Sequence, residues 1–103
     1  NYGNAVHIFH AVLGGLALKS GDVESAKTHL LASGRTPGSP QLASFGPNMY
    51  LAKHLLEAGE SDVVLDYLEL CRVFWETEKD KLDKWESEIE SGTIPDFGAN
   101  LFY

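Results

Sequence analysis

This sequence has one cysteine and no long apolar run, and each of these two features excludes a class of protein. The single cysteine, Cys71, cannot form an intramolecular disulfide framework, and it favours a reducing compartment. No apolar segment approaches the roughly 18 residues that span a bilayer. We therefore expect a cytoplasmic location and no membrane partner. Because the first residue is Asn rather than Met, we also expect the chain to be part of a longer protein.

Basic residues are scarce as well, and the charge is unevenly distributed. The chain has a net charge of −7, and residues 57–91 contain 12 acidic and 4 basic side chains, whereas residues 1–56 contain 2 and 4. An acidic surface repels phosphate, which excludes nucleic acid as a partner. The low charge of the first half indicates a surface that another element covers. The length of 103 residues predicts one domain with a modest core.

The sequence does contain a weak internal repeat. Gly21-Asp22 and Gly59-Glu60 lie 38 residues apart, and similar residues flank both pairs. Around the first pair these are His10, Leu13, Gly14, Ala17, Ala26, Leu30 and Ser33, and around the second they are Asn48, Leu51, Ala52, Leu55, Val64, Leu68 and Cys71. Repetition at about 20 to 50 residues is typical of stacked helical hairpins, because one hairpin cannot bury its own apolar face.

Helical spacing of the apolar residues and glycine stops divide the chain into segments. We predict a helical-repeat domain over residues 1–92, followed by an extended tail over 93–103 that is laid on a groove of this chain or of a second copy. Within the domain we predict a hairpin at 4–33, a linker at 34–46 with one helical turn at 41–45, a hairpin at 47–75 and a capping helix at 76–91. Acidic and basic side chains four residues apart are expected to pair on the solvent-exposed face of this capping helix.

Two adjacent glycines lie inside the first predicted helix. Glycine at such a position costs about 1 kcal/mol relative to alanine, so it needs a reason. Gly14-Gly15 is not a phosphate loop, because it interrupts a helix and no Lys-Ser/Thr follows it. We expect close approach of a neighbouring helix instead, so that Gly15→Leu would disrupt packing.

The repeat resembles the tetratricopeptide repeat. Leu13-Gly14, Ala26, Leu30 and Ser33 fit its pattern, as do Ala52, Val64, Leu68 and Cys71 in the second copy. Ala17, His10 and Asn48 depart from it, and the linker is longer. This resemblance, which covers residues 7–75, implies an all-α fold, a right-handed α-α superhelix. A second stretch, over 36–49, resembles a segment that recurs in uncharacterised bacterial proteins and implies no activity.

The same resemblance implies a concave peptide-binding groove formed by the first helix of each hairpin. Carried over by position, it places Ile8, Ala11, Gly15, Leu18 and Lys19 in the groove, together with Met49, Lys53, Leu56 and Glu57. Ala11 and Gly15 stand where some members of that family carry a clamp for a C-terminal carboxylate. The implied function is a non-catalytic protein-protein interaction or self-assembly module without a cofactor, whose partner is a protein or peptide, a second copy included.

Two alternatives stay open. In the first, the chain is an accessory or regulatory domain of a larger bacterial protein. In the second, it is a small metal-dependent enzyme that uses His7, His10 and His29. Three imidazoles suit a metal ion, but no metal-binding spacing such as His-x3-His occurs. Cys71 occupies a small-residue position of the repeat, which favours a buried thiol over a nucleophile. The acidic residues of 76–90 are expected to form a solvated helix face. We therefore predict no catalytic residue and no metal site.

Overall fold

The computed structural model describes residues 2–102, which are mostly helical; Asn1 and Tyr103 lie outside the described residues. Six α-helices follow one another, and the part described contains no strand. They are α1 (Tyr2–Lys19), α2 (Val23–Gly34), α3 (Pro40–Phe45), α4 (Tyr50–Glu57), α5 (Ser61–Phe74) and α6 (Lys79–Glu90), with short 3-10 helices at Glu76–Glu78 and Gly98–Leu101. The all-α fold class is therefore confirmed, and the right-handed superhelix stays a prediction.

The two glycines of the repeat occupy matching bends. Gly21 follows α1 with φ 88°, and Gly59 follows α4 with φ 83°. In each bend the N–H after the glycine donates to the carbonyl five residues earlier, at 2.8 Å and 2.9 Å, which is the Schellman arrangement. Only glycine adopts this positive φ without a steric cost. The bends reverse the chain tightly, so α1 packs against α2, and α4 against α5.

The core lies between α2, α4 and α5, and α1 and α6 cover it from two sides. α2 contacts α1, α4 and α5, and α4 and α5 likewise contact three helices each. The α2 side chains Ala26 and Leu30 are buried, as are Leu51 and Leu55 of α4. Burial of each of these leucine side chains stabilises the fold by about 1.5–3 kcal/mol. The repeat positions of the sequence are therefore largely core positions.

The capping helix α6 is attached to α5 by apolar packing and by one arginine. Trp85 is buried near Trp75, with ring centroids 5.8 Å apart. Arg72 of α5 contacts Asp83 at 2.7 Å and Glu86 at 3.6 Å. These carboxylates were expected to pair with lysines of their own helix. They pair with Arg72 instead, because the guanidinium lies between the two helices and is within reach of both.

The tail is folded onto its own chain rather than extended. The ring of Phe97 packs edge-on against Trp85 at 5.0 Å, and Gly98–Leu101 forms a 3-10 turn. The side-chain amide of Asn100 donates to the carbonyls of Phe45 and Pro47, both at 3.0 Å. The backbone carbonyl of Asn100 accepts the N–H of Met49 at 2.8 Å. The tail therefore fixes residues 47–49 in an irregular conformation. This explains why α4 begins at residue 50 rather than at 47.

Only one of the two adjacent glycines in α1 lies at a close helix contact. A Cβ on Gly14 would approach Leu51 Cδ2 at 2.3 Å and His29 Cβ at 3.1 Å. A Cβ on Gly15 would meet nothing within 4 Å. The expectation that Gly15→Leu disrupts packing is therefore wrong, because Gly15 faces open space and Gly14 faces α2 and α4.

The two glycines give a matched pair of alanine variants with opposite effects on stability. Gly15→Ala is expected to raise the free energy of unfolding by roughly 0.5–1 kcal/mol, because alanine favours the helix and finds free space. Gly14→Ala is expected to lower it by about 1–3 kcal/mol, because the new methyl overpacks the contact with α2 and α4. Urea denaturation followed by circular dichroism measures both. Equal effects of the two substitutions would contradict the assignment.

Candidate functional site

An open groove runs between α1 and α4 and ends at the C-terminal tail. Its volume is about 620 Å³. Most of the side chains that line it are apolar. The lining residues are Ile8, Ala11, Val12, Gly15, Leu16, Leu18, Lys19, Asn48, Tyr50, Leu51, His54, Leu101 and Phe102. Concave apolar surfaces with a few polar groups are the usual form of a binding site.

The α1 side of this groove includes the five residues that the resemblance implies, together with Val12 and Leu16. Ile8, Ala11, Gly15, Leu18 and Lys19 all line it. They follow helical spacing and so lie on one helix face, beside the face that packs against α2. The small side chains at positions 11 and 15 leave the depth of the groove unfilled. Their role in binding stays a prediction.

The α4 side differs from the expected one. Met49 is 0% exposed and belongs to the core, so its predicted place in the groove is corrected. Lys53 and Glu57 do not line the groove either, and Tyr50 and His54 take their places. The helix turns Leu51 and Leu55 inward, and the residues just before each of them therefore border the groove.

The residues that the sequence did not indicate form an aromatic rim. The rings of Tyr50 and His54 meet edge to face, with centroids 4.4 Å apart. His54 Nδ1 lies 3.0 Å from Glu57 Oε1, so the glutamate orients the imidazole from outside the groove. Phe102 and Leu101 complete the rim at the tail. A tyrosine and a histidine four residues apart, each preceding a buried leucine, were the available sequence signal.

His7, one of three candidate metal ligands, is buried and committed to the backbone. Its Nδ1 lies 3.0 Å from the Ser33 carbonyl, and its Nε2 lies 2.9 Å from the N–H of Asn48. A carbonyl requires a donor and an N–H requires an acceptor, so the imidazole is neutral with its proton on Nδ1. Burial lowers the pKa of His7, against the opposing effect of the bond to Ser33. Both ring nitrogens are used, which leaves none for a metal.

The other two histidines meet each other instead. His10 Nδ1 and His29 Nδ1 are 3.0 Å apart, and the rings are stacked with centroids at 5.2 Å. The close approach of α2 at Gly14 brings the two histidines together. Within residues 2–102, no group of three or more His, Cys, Asp or Glu is arranged to hold a metal ion.

Cys71 and the acidic residues of α6 occupy the places expected of them. Cys71 is completely buried, and burial raises the pKa of its thiol, which disfavours the reactive thiolate. The acidic side chains of α6 are mostly exposed, and two of them pair with Arg72. Their arrangement is the solvated helix face that the sequence predicts.

No protein-family model, curated protein or solved structure matches this chain. Among the helices of residues 2–102, none is long and apolar enough to cross a membrane. Function has to be inferred from the groove and the histidines themselves.

The buried imidazole predicts a pH-dependent stability. Because the pKa of His7 is lower in the folded chain than the ordinary 6.5, its contribution is fully present above about pH 6.5 and is lost as the pH falls toward the native pKa. The free energy of unfolding, from urea titrations between pH 7.5 and 5, should therefore decrease toward acid.

His7→Asn should cost about 2–4 kcal/mol at pH 7.5, because the ring packing and one acceptor are lost. It should also flatten the decrease toward acid. His54→Ala, which removes a partly exposed imidazole, is the control and should leave the decrease unchanged. An identical pH profile in His7→Asn and the wild type would refute the role of His7.

Proposed function

We propose that this chain is a non-catalytic protein-interaction module that holds an apolar helix in the groove between α1 and α4. The observation that carries the proposal is the open, mostly apolar groove of about 620 Å³, bordered by unfilled space at Gly15. We further infer that the two hairpins stack in the tetratricopeptide manner, with α1 and α4 on the concave side. A module of this kind also suits an accessory domain of a larger bacterial protein.

The composition of α1 supports a partner on its outer face. Among its residues Tyr2–Lys19, Lys19 is the only lysine, arginine, aspartate or glutamate. Phe9 and Leu16 are each 59% exposed, although both are large and apolar. A helix that is apolar around its whole circumference is normally buried on all sides. Exposed apolar patches of this kind mark interaction surfaces.

The spacing of the exposed residues favours a helix as the occupant. Tyr2, Phe9 and Leu16 recur every seven residues and form a ridge beside the groove. Residues seven positions apart lie on one helix face, as one of the two core positions of a helix–helix seam does. An amphipathic helix placed along α1 would run for about 27 Å at 1.5 Å per residue. Lys19 and His54 at the groove offer polar contacts to such a partner.

The alternative of a three-histidine enzyme loses support from the position of His7. Its two ring nitrogens are bonded to the backbone at Ser33 and Asn48, so it cannot join His10 and His29 around one ion. The burial of Cys71 similarly disfavours a thiol nucleophile.

Peptide selection tests the proposed groove. From a library of random 16-residue peptides displayed on phage, the chain should enrich sequences with apolar residues at helical spacing. A Cβ at position 15 meets nothing within 4 Å, so Gly15→Leu places its side chain in the groove and should weaken binding of the selected peptides at least tenfold, about 1.4 kcal/mol.

Val73→Leu is the matched control, because Val73 is 77% exposed on α5, outside the groove. Its binding should equal that of the wild type. Failure to enrich peptides, or binding that Gly15→Leu leaves intact, would refute the groove as the interaction site.

A second copy of the chain is the occupant that the charges favour. The chain carries −7 overall, and most of its acidic residues lie in 57–91, so two copies repel each other over that surface. α1 has no acidic residue, and its ridge can face itself across a two-fold axis. Two copies can therefore approach through α1 with the least repulsion.

Sedimentation equilibrium over a wide concentration range tests self-association. The wild type should dimerise, and Leu16→Glu should raise the dimer dissociation constant at least tenfold, because it places a carboxylate on the ridge. Val73→Glu makes the same charge change on α5 and should leave the constant unchanged. A wild type that stays monomeric would exclude the second copy and leave a helix of another protein as the partner.

A further inference from the structure

We propose that His10 and His29 form a two-histidine site for a divalent transition-metal ion of the Zn²⁺, Ni²⁺ or Cu²⁺ class, which links α1 to α2. Their Nδ1 atoms are 3.0 Å apart, and the pair is partly buried between the two helices. The site is distinct from the groove and does not depend on the function proposed for it.

The separation of the two nitrogens matches that of two ligands on one ion. Imidazole nitrogen binds such ions at about 2.0–2.1 Å, so two ligands at a right angle lie about 2.9 Å apart and two at a tetrahedral angle about 3.3 Å apart. The observed 3.0 Å falls within this interval. The two Nδ1 atoms share a hydrogen bond, so one of them carries the proton. When the ion binds, this proton moves to Nε2 of the same ring by exchange with water. The helices need not move, and rotation of the rings about χ2, a soft torsion, aims both lone pairs at the ion.

The surrounding structure holds the two histidines in place. Gly14 lies one turn after His10, and the space a Cβ would occupy there is only 3.1 Å from His29 Cβ. This contact fixes the distance between the two helix backbones at the site. The Phe9 ring packs edge-on against His10, with centroids 5.5 Å apart, and borders one side of that imidazole. Ligands on rigid elements bind a metal more precisely than ligands on loops.

The chemistry of the pair selects the class of ion. Imidazole suits Zn²⁺, Cu²⁺ and Ni²⁺, whereas Mg²⁺ and Ca²⁺ prefer oxygen ligands. No third His, Cys, Asp or Glu joins the pair in the described part of the chain, so water fills the remaining coordination positions. Such an open site binds more weakly than a closed structural one, and the ion exchanges with solvent.

Metal-dependent unfolding of the whole chain tests the site. A ligand that binds only the folded state raises stability with its concentration. Zn²⁺ or Ni²⁺ up to 1 mM should therefore shift the thermal midpoint upward in a saturable manner, whereas Mg²⁺ should not. His10→Ala and His29→Ala should each weaken the binding at least tenfold. His54→Ala, which removes a histidine paired with Glu57, should bind the ion as the wild type does.

A measurement on the unmodified chain decides the matter even if an alanine variant fails to fold. Substoichiometric Cu²⁺, which is paramagnetic, should broaden the ring proton resonances of His10 and His29 before those of His7 and His54. The proposal is overturned if Zn²⁺ and Ni²⁺ give no saturable shift. It is equally overturned if His54→Ala abolishes the shift, or if copper broadens His54 first.

Discussion

The structure depends on one buried, neutral imidazole. His7 of α1 donates to the Ser33 carbonyl at the end of α2 and accepts the N–H of Asn48 ahead of α4, and it therefore ties the first hairpin to the start of the second. Tyr67 of α5 stacks on the imidazole at 6.5 Å and donates its hydroxyl to the carbonyl of Asn48 at 2.8 Å. Four parts of the chain thus meet at one ring, and each polar atom of the group is paired. Breaking such a buried network leaves unpaired groups, which is costly.

This arrangement fixes which face of α1 is free. His7 and Gly14 face inward, because the first is bonded to α2 and the second lies against α2 and α4. The face with Ile8, Ala11 and Gly15 must then point toward the groove. The same close approach at Gly14 brings His29 against His10. The groove and the histidine pair are therefore both consequences of how α1 is packed, although they lie at separate places.

A continuous set of contacts attaches α6 and the tail to the rest of the domain. Arg72 joins α5 to the carboxylates of α6, and the aromatic contact between Trp85 and Phe97 continues that packing into the tail. The side-chain amide of Asn100 then donates hydrogen bonds to the carbonyls of Phe45 and Pro47, in the segment before α4. The tail is consequently part of the domain, and it closes one end of the groove with Leu101 and Phe102.

The sequence by itself determined the all-helical fold and the two matching bends, because apolar periodicity and the positive φ of Gly21 and Gly59 are local properties. It also indicated the α1 side of the groove, since one regular helix fixes which residues share a face. The start of α4 required the tertiary structure. Asn100, about 50 positions away, binds the segment before it and accepts the N–H of Met49, whose side chain lies in the core, while Tyr50 and His54 border the groove.

The different contacts of the three histidines likewise depend on packing between helices, and no local sequence pattern encodes the register of that packing. Both ring nitrogens of His7 form hydrogen bonds with backbone groups, whereas the Nδ1 atoms of His10 and His29 lie 3.0 Å apart.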